Sequence, residues 1–349
     1  MSGGVTQLVA IGAQDAHLVG SPEVSFFRST YKRHTNFTQV VDRQIIQGNP
    51  SPGGMSSVRF ERKGDLLSYV YLTKKDAAGA TDTFAIDDIA KVEFLIGGQV
   101  IDDQDYRFSR FIASRLLVSN ENKSLVSGGA PASDLFYPLH FWFCENWQSA
   151  IPLVALQYHD VEIRITWGAG AAASERFELW SNFILLDADE RQKLTQEPIN
   201  MLILQTQKAV PSQGKIQELN FNHPIKFLAS NVNLVSAPTT DTLLLQINGV
   251  DIGEPRTYSP HFNRASLYFH ASTTPGVVGG STLAGQSFLY PFCLDTNRLQ
   301  PTGTLNFSRL DSVRLVSTSN FSQPEGYVYA VNYNILRIQN GMGGVMYAN

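Results

Sequence analysis

Hydrophobic and polar positions alternate along much of this chain, the period of two expected of strands with one buried face. Val58 and Phe60 alternate with Arg59 and Glu61, and Val92, Phe94 and Ile96 interleave with Lys91, Glu93 and Leu95 before Gly97-Gly98, a hairpin turn. Leu243, Leu245 and Ile247 run into Asn248-Gly249, the strongest short hairpin signal, and continue through Val250 and Ile252. A last long strand sets Tyr327, Tyr329, Val331, Tyr333 and Ile335 on one face and Asn332 and Asn334 on the other. Helical spacing breaks in twice. Ser21-Pro22-Glu23 offers a cap, a first-turn proline and an acid suited to the dipole, and it predicts a short helix that carries Val24, Phe27 and Tyr31. The Lys32-Arg33-His34 cluster at its end would complement the dipole. Phe108, Phe111, Ile112 and Leu116 share the face of a second helix, with Arg107, Arg110 and Arg115 mostly off it. That helix is too isolated among strands to suggest alternating βαβ units.

Two later stretches look alike. Tyr137-Pro138 opens an apolar segment and Asp160 to Ile165 alternates 23 residues on; Tyr290-Pro291 opens another and Asp311 to Val316 follows after 21. The likeness predicts a duplicated architecture. A length of 349 residues suits two domains. The expected division is an arm over 1–50, a first sheet domain over 51–212 and a second over 213–349, parted in the polar stretch Pro211 to Lys215. Many short strands punctuated by turns in each half predict an all-β protein of paired sandwiches, of the jelly-roll or immunoglobulin kind.

Composition narrows the function classes. The 21 Phe and 13 Tyr fill large cores, while a formal net charge of −4 leaves no basic surplus for a phosphate-binding surface. Direct, sequence-specific nucleic-acid binding is therefore not expected. Cys144 and Cys293 are in no metal-ligand spacing and read as buried thiols. Nothing in the chain reads as a secretion or membrane-insertion signal. His159 with Asp160 and Glu162 is the nearest fragment of a metal site, but neighbouring strand residues point to opposite faces, and His140, His223, His261 and His270 stand singly. Asp102, Asp103 and Asp105 lack the glycine and closing glutamate of a calcium loop and read as caps of the Phe108 helix. Gly341-Met342-Gly343-Gly344 has no helix after it and reads as a flexible tail. Four Asn-x-Ser/Thr matches, at Asn36, Asn122, Asn306 and Asn320, read as chance. No nucleophile elbow or Walker-type loop occurs, so no catalytic, cofactor-binding or metal residue is expected.

The segments together resemble a family. Gly12-Ala13-Gln14-Asp15, Phe26-Phe27 and Tyr31 to Phe37, then Pro138 to Cys144, Ile151-Pro152-Leu153 and Ala155 to His159, then Gln300 to Asp311, and finally Val328 to Arg337 with Gly341 to Gly344 are similar to the major capsid proteins of nucleocytoplasmic large DNA viruses, those of algae and protists above all. The resemblance implies two consecutive eight-stranded antiparallel jelly rolls, a double jelly roll, with a few short helices and an N-terminal arm. It implies a homotrimer forming a pseudo-hexagonal capsomer that tiles an icosahedral shell in the virion, assembled in the host cytoplasm. Minor capsid and penton proteins would meet its inner side, where the arm would also approach an internal membrane and the Lys32-Arg33-His34 cluster would contact acidic partners or head groups. The connections that form outer towers in the family are short here, so the resemblance does not extend to host attachment or glycan display. Two other classes use the same sandwich: a carbohydrate-binding module with exposed Trp and Tyr, and a cupin-like metalloenzyme.

Overall fold

A computed structural model describes residues 3–85, 87–119, 135–171, 176–271, 287–321 and 326–348. Residues 1–36 form a unit of their own, and 37–349 form the other. The first unit holds two short helices, Gly3–Val9 and Ala16–Val19, followed by turns and irregular chain. The helix expected to begin at Ser21 is absent. Its apolar residues stay open within this unit: Phe26 is 94% exposed, and Phe27 and Tyr31 are exposed as well. A lone helix of this length is marginal in water without tertiary packing. The basic cluster Lys32-Arg33-His34 therefore has no helix end to complement and lies exposed in irregular chain.

The second unit begins with strand structure at Phe37, inside the stretch expected to be arm. Its first half contains β1 (Phe37–Gln44), β2 (Met55–Arg59), β3 (Leu66–Lys75), β4 (Thr81–Asp82), β5 (Ile89–Ile96), β6 (Gln99–Asp105), β7 (Phe136–Pro138), β8 (Ile151–Pro152), β9 (Val161–Trp167) and β10 (Arg176–Leu186). One sheet runs β1-β10-β3, with β4, β7 and β8 also pairing β3, and the facing sheet runs β2-β9-β5-β6. The second half contains β11 (Ile199–Ala209), β12 (Ile216–Glu218), β13 (Pro224–Ser230), β14 (Thr242–Ile247), β15 (Val250–Thr257), β16 (Phe288–Pro291), β17 (Leu305–Asn306), β18 (Val313–Ser317), β19 (Val328–Gln339) and β20 (Met342–Val345). Its sheets run β11-β19-β13, with β16 and β17 also pairing β13, and β12-β18-β14-β15. The order is the same twice, and every ladder is antiparallel: two jelly rolls in one chain. Helix Ala188–Gln196, capped by Asp187, separates them. Strand β11 lies before the polar stretch at Pro211, yet it ladders with β19 along its whole length.

The duplication extends to individual rungs. Tyr71 pairs with Pro138 on one side and Trp180 on the other, and Phe227 pairs with Pro291 and Val331 in the same way. The next rung on the same face sets Phe136-Thr73-Glu178 against Leu289-Ala229-Tyr329. The two Tyr-Pro repeats visible in the sequence thus occupy the same ladder position. Turn chemistry repeats too: Gly97 and Gly98 have φ of 58° and 82°, and Asn248 and Gly249 have 49° and 80°, the left-handed pair that a two-residue hairpin demands.

Each roll has a core, and the first roll's core also takes in Ile203 of β11 and Leu336 and Ile338 of β19 from the second roll. In the first, Phe94 meets Phe141, Trp142 and Phe143 at centroid distances of 5.5, 5.4 and 4.8 Å, so the Pro138 to Cys144 segment plugs the sandwich. In the second, Phe288 sits between Tyr258 and Phe262. Each such fully buried aromatic contributes roughly 1.5–3 kcal/mol through area removed from water.

Candidate assembly surfaces

The two rolls are joined by a third apolar cluster. A π-helical turn, Phe108–Ala113, runs into the short helix Ser114–Leu116 after β6, and its Phe108, Ile112, Ala113, Leu116 and Leu117 lie on Phe227, Ala229, Leu289, Tyr329 and Val331. Those sheet residues alternate with Ile225, Leu228, Val328 and Ala330, which face the second roll's own core. The helix of the first roll therefore roofs the outer face of the second roll's sheet. The π turn also corrects the helical wheel, because its wider spiral shifts the register. Arg110 and Arg115, expected off the buried face, are themselves buried, and Arg110 lies 5.7 Å over the Tyr106 ring.

Polar links reinforce this junction. Asp105 accepts from the Phe108 amide at 2.8 Å, the expected cap, and it also accepts the Tyr329 hydroxyl at 2.8 Å and pairs with Lys208 at 2.6 Å. Asp102 accepts from the Thr206 amide at 2.7 Å and from Gln104 at 3.0 Å. Complete burial pushes the Asp102 carboxyl up to about 8, against the pull of those two donors. The sequence reading of these acids as helix caps missed that two of them cross to the other roll; no local pattern encodes a partner a hundred residues away.

The C-terminal glycines form a second link. Residues expected to be a flexible tail are strand β20, paired to β19. The carbonyl of Gly341 accepts from the Tyr158 amide at 2.9 Å, and the His159 ring meets the Gly343 carbonyl at 2.9 Å. A Cβ on Gly343 would come within 2.7 Å of Leu156, so close approach of the backbone explains the glycine. The other residues weighed for metal binding are dispersed. His140 contacts Glu145 at 2.8 Å, His270 contacts the Cys293 carbonyl at 2.9 Å, His223 and His261 belong to separate segments, and Asp160 pairs with Arg59 at 2.6 Å. Among the described residues no three potential ligands converge. Cys293 is buried, Cys144 is only half-buried, and neither is in a disulfide. The match at Asn122 and the Ser322 that completes the one at Asn320 lie outside the described residues; Asn36 is exposed, and Asn306 caps the Ser308 amide.

Large apolar surface remains uncovered in unit 37–349. On the first roll's outer sheet face, Tyr69 stacks on Tyr71 at 6.4 Å, Tyr71 meets Phe136 edge-on at 6.1 Å, and Trp180 donates to the Thr73 hydroxyl at 3.1 Å, all of them at least partly open to solvent. On the second roll, the helix Ser266–His270 exposes Tyr268 by 82% and Phe269 by 73%. Edge strands β1 and β15 expose Val40, Val41, Val250 and Ile252. Scattered apolar residues need no explanation, but contiguous aromatic surface of this kind marks an interaction site.

Two family models match the chain: the major capsid protein N-terminus over residues 25–242 and the large eukaryotic DNA virus major capsid protein over 236–344. The major capsid protein of Pyramimonas orientalis virus is 34% identical, and that of Paramecium bursaria Chlorella virus 1 is 32% identical, each alignment covering all of both chains. Among solved structures, a chain of the quasi-atomic PBCV-1 virus capsid superposes with a TM-score of 0.74 at 27% identity over 93% of this chain and 100% of that one. The Faustovirus major capsid protein shares the fold, with a TM-score of 0.62 at 12% identity over 94% of each chain.

Proposed function

Because the chain belongs to the major capsid proteins of large eukaryotic DNA viruses, and is thus a structural component of the virion shell and not an enzyme, we propose that three copies close into a pseudo-hexagonal capsomer that tiles an icosahedral capsid. The observation that carries this reading is the doubled strand order. Two rolls of one topology, fused and packed side by side, let three chains present six similar wedges, and a head-to-tail contact that closes gives a ring. Light scattering on the purified chain tests it. A mass three times that of the monomer is expected, and a monomer at every concentration would overturn it.

The remaining contacts follow from the same arrangement. The arm, with exposed Phe26, Phe27 and Tyr31 beside Lys32-Arg33-His34, suits the inner side of the shell, where minor capsid and penton proteins and an internal membrane with acidic head groups would meet it. Assembly in the host cytoplasm accords with two cysteines that form no disulfide, the state a reducing compartment keeps. A net charge of −4 leaves sequence-specific nucleic-acid binding out of this role.

A further inference from the structure

We propose that the copies associate by repeating between chains the helix-on-sheet contact that each chain makes once within itself. The helix of the second roll docks on the outer sheet face of the first roll of the next copy. This rests on the trimeric reading above and assigns the surface that would build it.

The duplication identifies both halves of the contact. Tyr106 and Tyr258 are buried core tyrosines that follow β6 and β15, and a π-helical turn follows each, Phe108–Ala113 and His261–Ala265, ending in Ala-Ser both times. In that alignment Pro260, Arg264, Tyr268 and Phe269 stand where Phe108, Ile112, Leu116 and Leu117 stand. The first-roll set is buried on the second roll's sheet, whereas the second-roll set is exposed throughout. The acceptor face shows the same contrast. Phe227, Val331 and Leu289 are buried under the helix, while Tyr71, Trp180 and Phe136, on the matching rungs, are only half-buried.

The flanking edge strands supply an independent observation. Within the chain, β6 lies against β11 and the Gln205 side chain donates to the Ile101 carbonyl. Arg43 and Thr206 occupy equivalent rungs beside Trp180 and Val331, which places Val40 where Ile203 stands and Val41 where Leu204 stands. Ile203 is fully buried; Val40 is 49% exposed and Val41 is 42% exposed. On the opposite partner, Ile252 of β15 is 43% exposed, while Ile101, the same distance past the hairpin into β6, is buried. Helix, sheet face and edge strand are thus all sealed where the chain supplies a partner and all open where it does not. The occupant that fits is a second copy, since it alone brings the complementary half of each pair. The contact is heterologous, so each copy uses one surface of each kind and three close a ring of six rolls.

The test compares the unaltered chain with a Y268E/F269E variant by light scattering and circular dichroism. Both positions are exposed, so the variant keeps the monomer's melting temperature while trimer formation weakens roughly a hundredfold or more, as for central aromatic anchors. A folded variant that still trimerises like the unaltered chain overturns this contact and leaves the trimer standing; an unaltered chain that never trimerises overturns both. Cross-linking reads the same contact without disrupting it. Leu116 lines one cavity with Ala229 and Leu289, so Tyr268 is matched to Phe136 of the next copy. Mixing a Tyr268→Cys chain with a Phe136→Cys chain under mild oxidation is expected to give a disulfide-linked dimer of one chain of each kind, absent from either variant alone. No such product in a mixture that does trimerise would overturn the assignment.

Discussion

The two rolls present the same ladder positions to opposite circumstances, and their side chains differ accordingly. On the second roll's outer face the rung is Pro291-Phe227-Val331, sealed within the chain from the start; on the first it is Pro138-Tyr71-Trp180, open to water in the single chain. The sealed face is mainly Phe, Ala, Leu and Val with Cys293, and the hydroxyl of its buried Tyr329 is satisfied by Asp105. The open face keeps large aromatics that carry a polar tip, such as Tyr69, Tyr71 and Trp180. Such residues tolerate water before assembly and still give large buried area after it. On the contact proposed above, permanent and conditional interfaces differ in chemistry at matched positions of one molecule.

Alanine at those positions separates the two fates most sharply. Phe227→Ala removes a ring that is 0% exposed and leaves a cavity between sheet and helix, with an expected cost of about 3–5 kcal/mol to the monomer. Tyr71→Ala on the equivalent rung is expected to cost the monomer about 1 kcal/mol and to show its main effect as lost self-association. Urea unfolding of the isolated chain, beside light scattering, measures both. Equal monomer losses at the two sites would break the comparison.

The pH response of the sealed junction comes next. Asp102 titrates near 8 in the folded chain, far above the ordinary 3.8, because it is wholly buried. The folded state then holds a proton that the unfolded chain releases, so stability falls as pH rises from about 4 to about 8. Below that window both states are protonated and the penalty vanishes. Lys226, pushed down to about 8 by burial, acts only above it, where rising pH relieves the cost of burying its charge. Urea midpoints at pH 5 and pH 8 are expected to fall with pH in the unaltered chain and to lie much closer together in Asp102→Asn. An unchanged slope in that variant would move the effect elsewhere.

Asp105 sharpens the contrast further, since the residue in its place on the second roll is Thr257, whose side chain makes no cap hydrogen bond. Asp105→Ala removes a helix cap, the Tyr329 hydroxyl's acceptor and the Lys208 ion pair together, at about 2–3 kcal/mol. Thr257→Ala is expected to stay within about 0.5 kcal/mol. Thermal unfolding of the two variants decides it, and comparable losses would mean that the polar links add little to the apolar roof.

How much of this was legible in the sequence depended on whether the signal was local. Asn248-Gly249 and Gly97-Gly98 specify their turns through backbone conformation alone, and the Tyr-Pro repeats marked equivalent rungs because the strands around them repeat. Of the stripe Phe108, Phe111, Ile112 and Leu116, three residues form the roof, while Phe111 packs half-buried against the first roll's core. Periodicity failed where another element decides. The stripe Val24, Phe27 and Tyr31 has helical spacing, yet all three residues stay exposed and no helix forms. Strand β11, with Gln205, Thr206, Gln207 and Lys208 in a row, is polar because it borders a junction, so it was read into the wrong half of the chain's pattern. Gly341 to Gly344 looked like a tail because glycine encodes close approach only to a partner, here Leu156 and Tyr158, that lies far away in sequence.

The smallest expected effect tests whether the duplication reaches the backbone. Gly98 and Gly249 have φ of 82° and 80° and open space where a Cβ would be, so alanine there is opposed by conformation alone. Each substitution is expected to cost about 1 kcal/mol, and the two costs should agree. Gly97 has no such freedom, because a Cβ would lie 2.5 Å from the His159 ring. Gly97→Ala should therefore exceed Gly98→Ala, and the excess should shrink in a His159→Ala background, where the obstructing ring is gone. Urea midpoints for these variants and for His159→Ala alone measure this. If Gly97→Ala and Gly98→Ala proved equal, the His159 ring would be free to swing aside, and its contact with Gly343 would contribute little to holding β20 against the first roll.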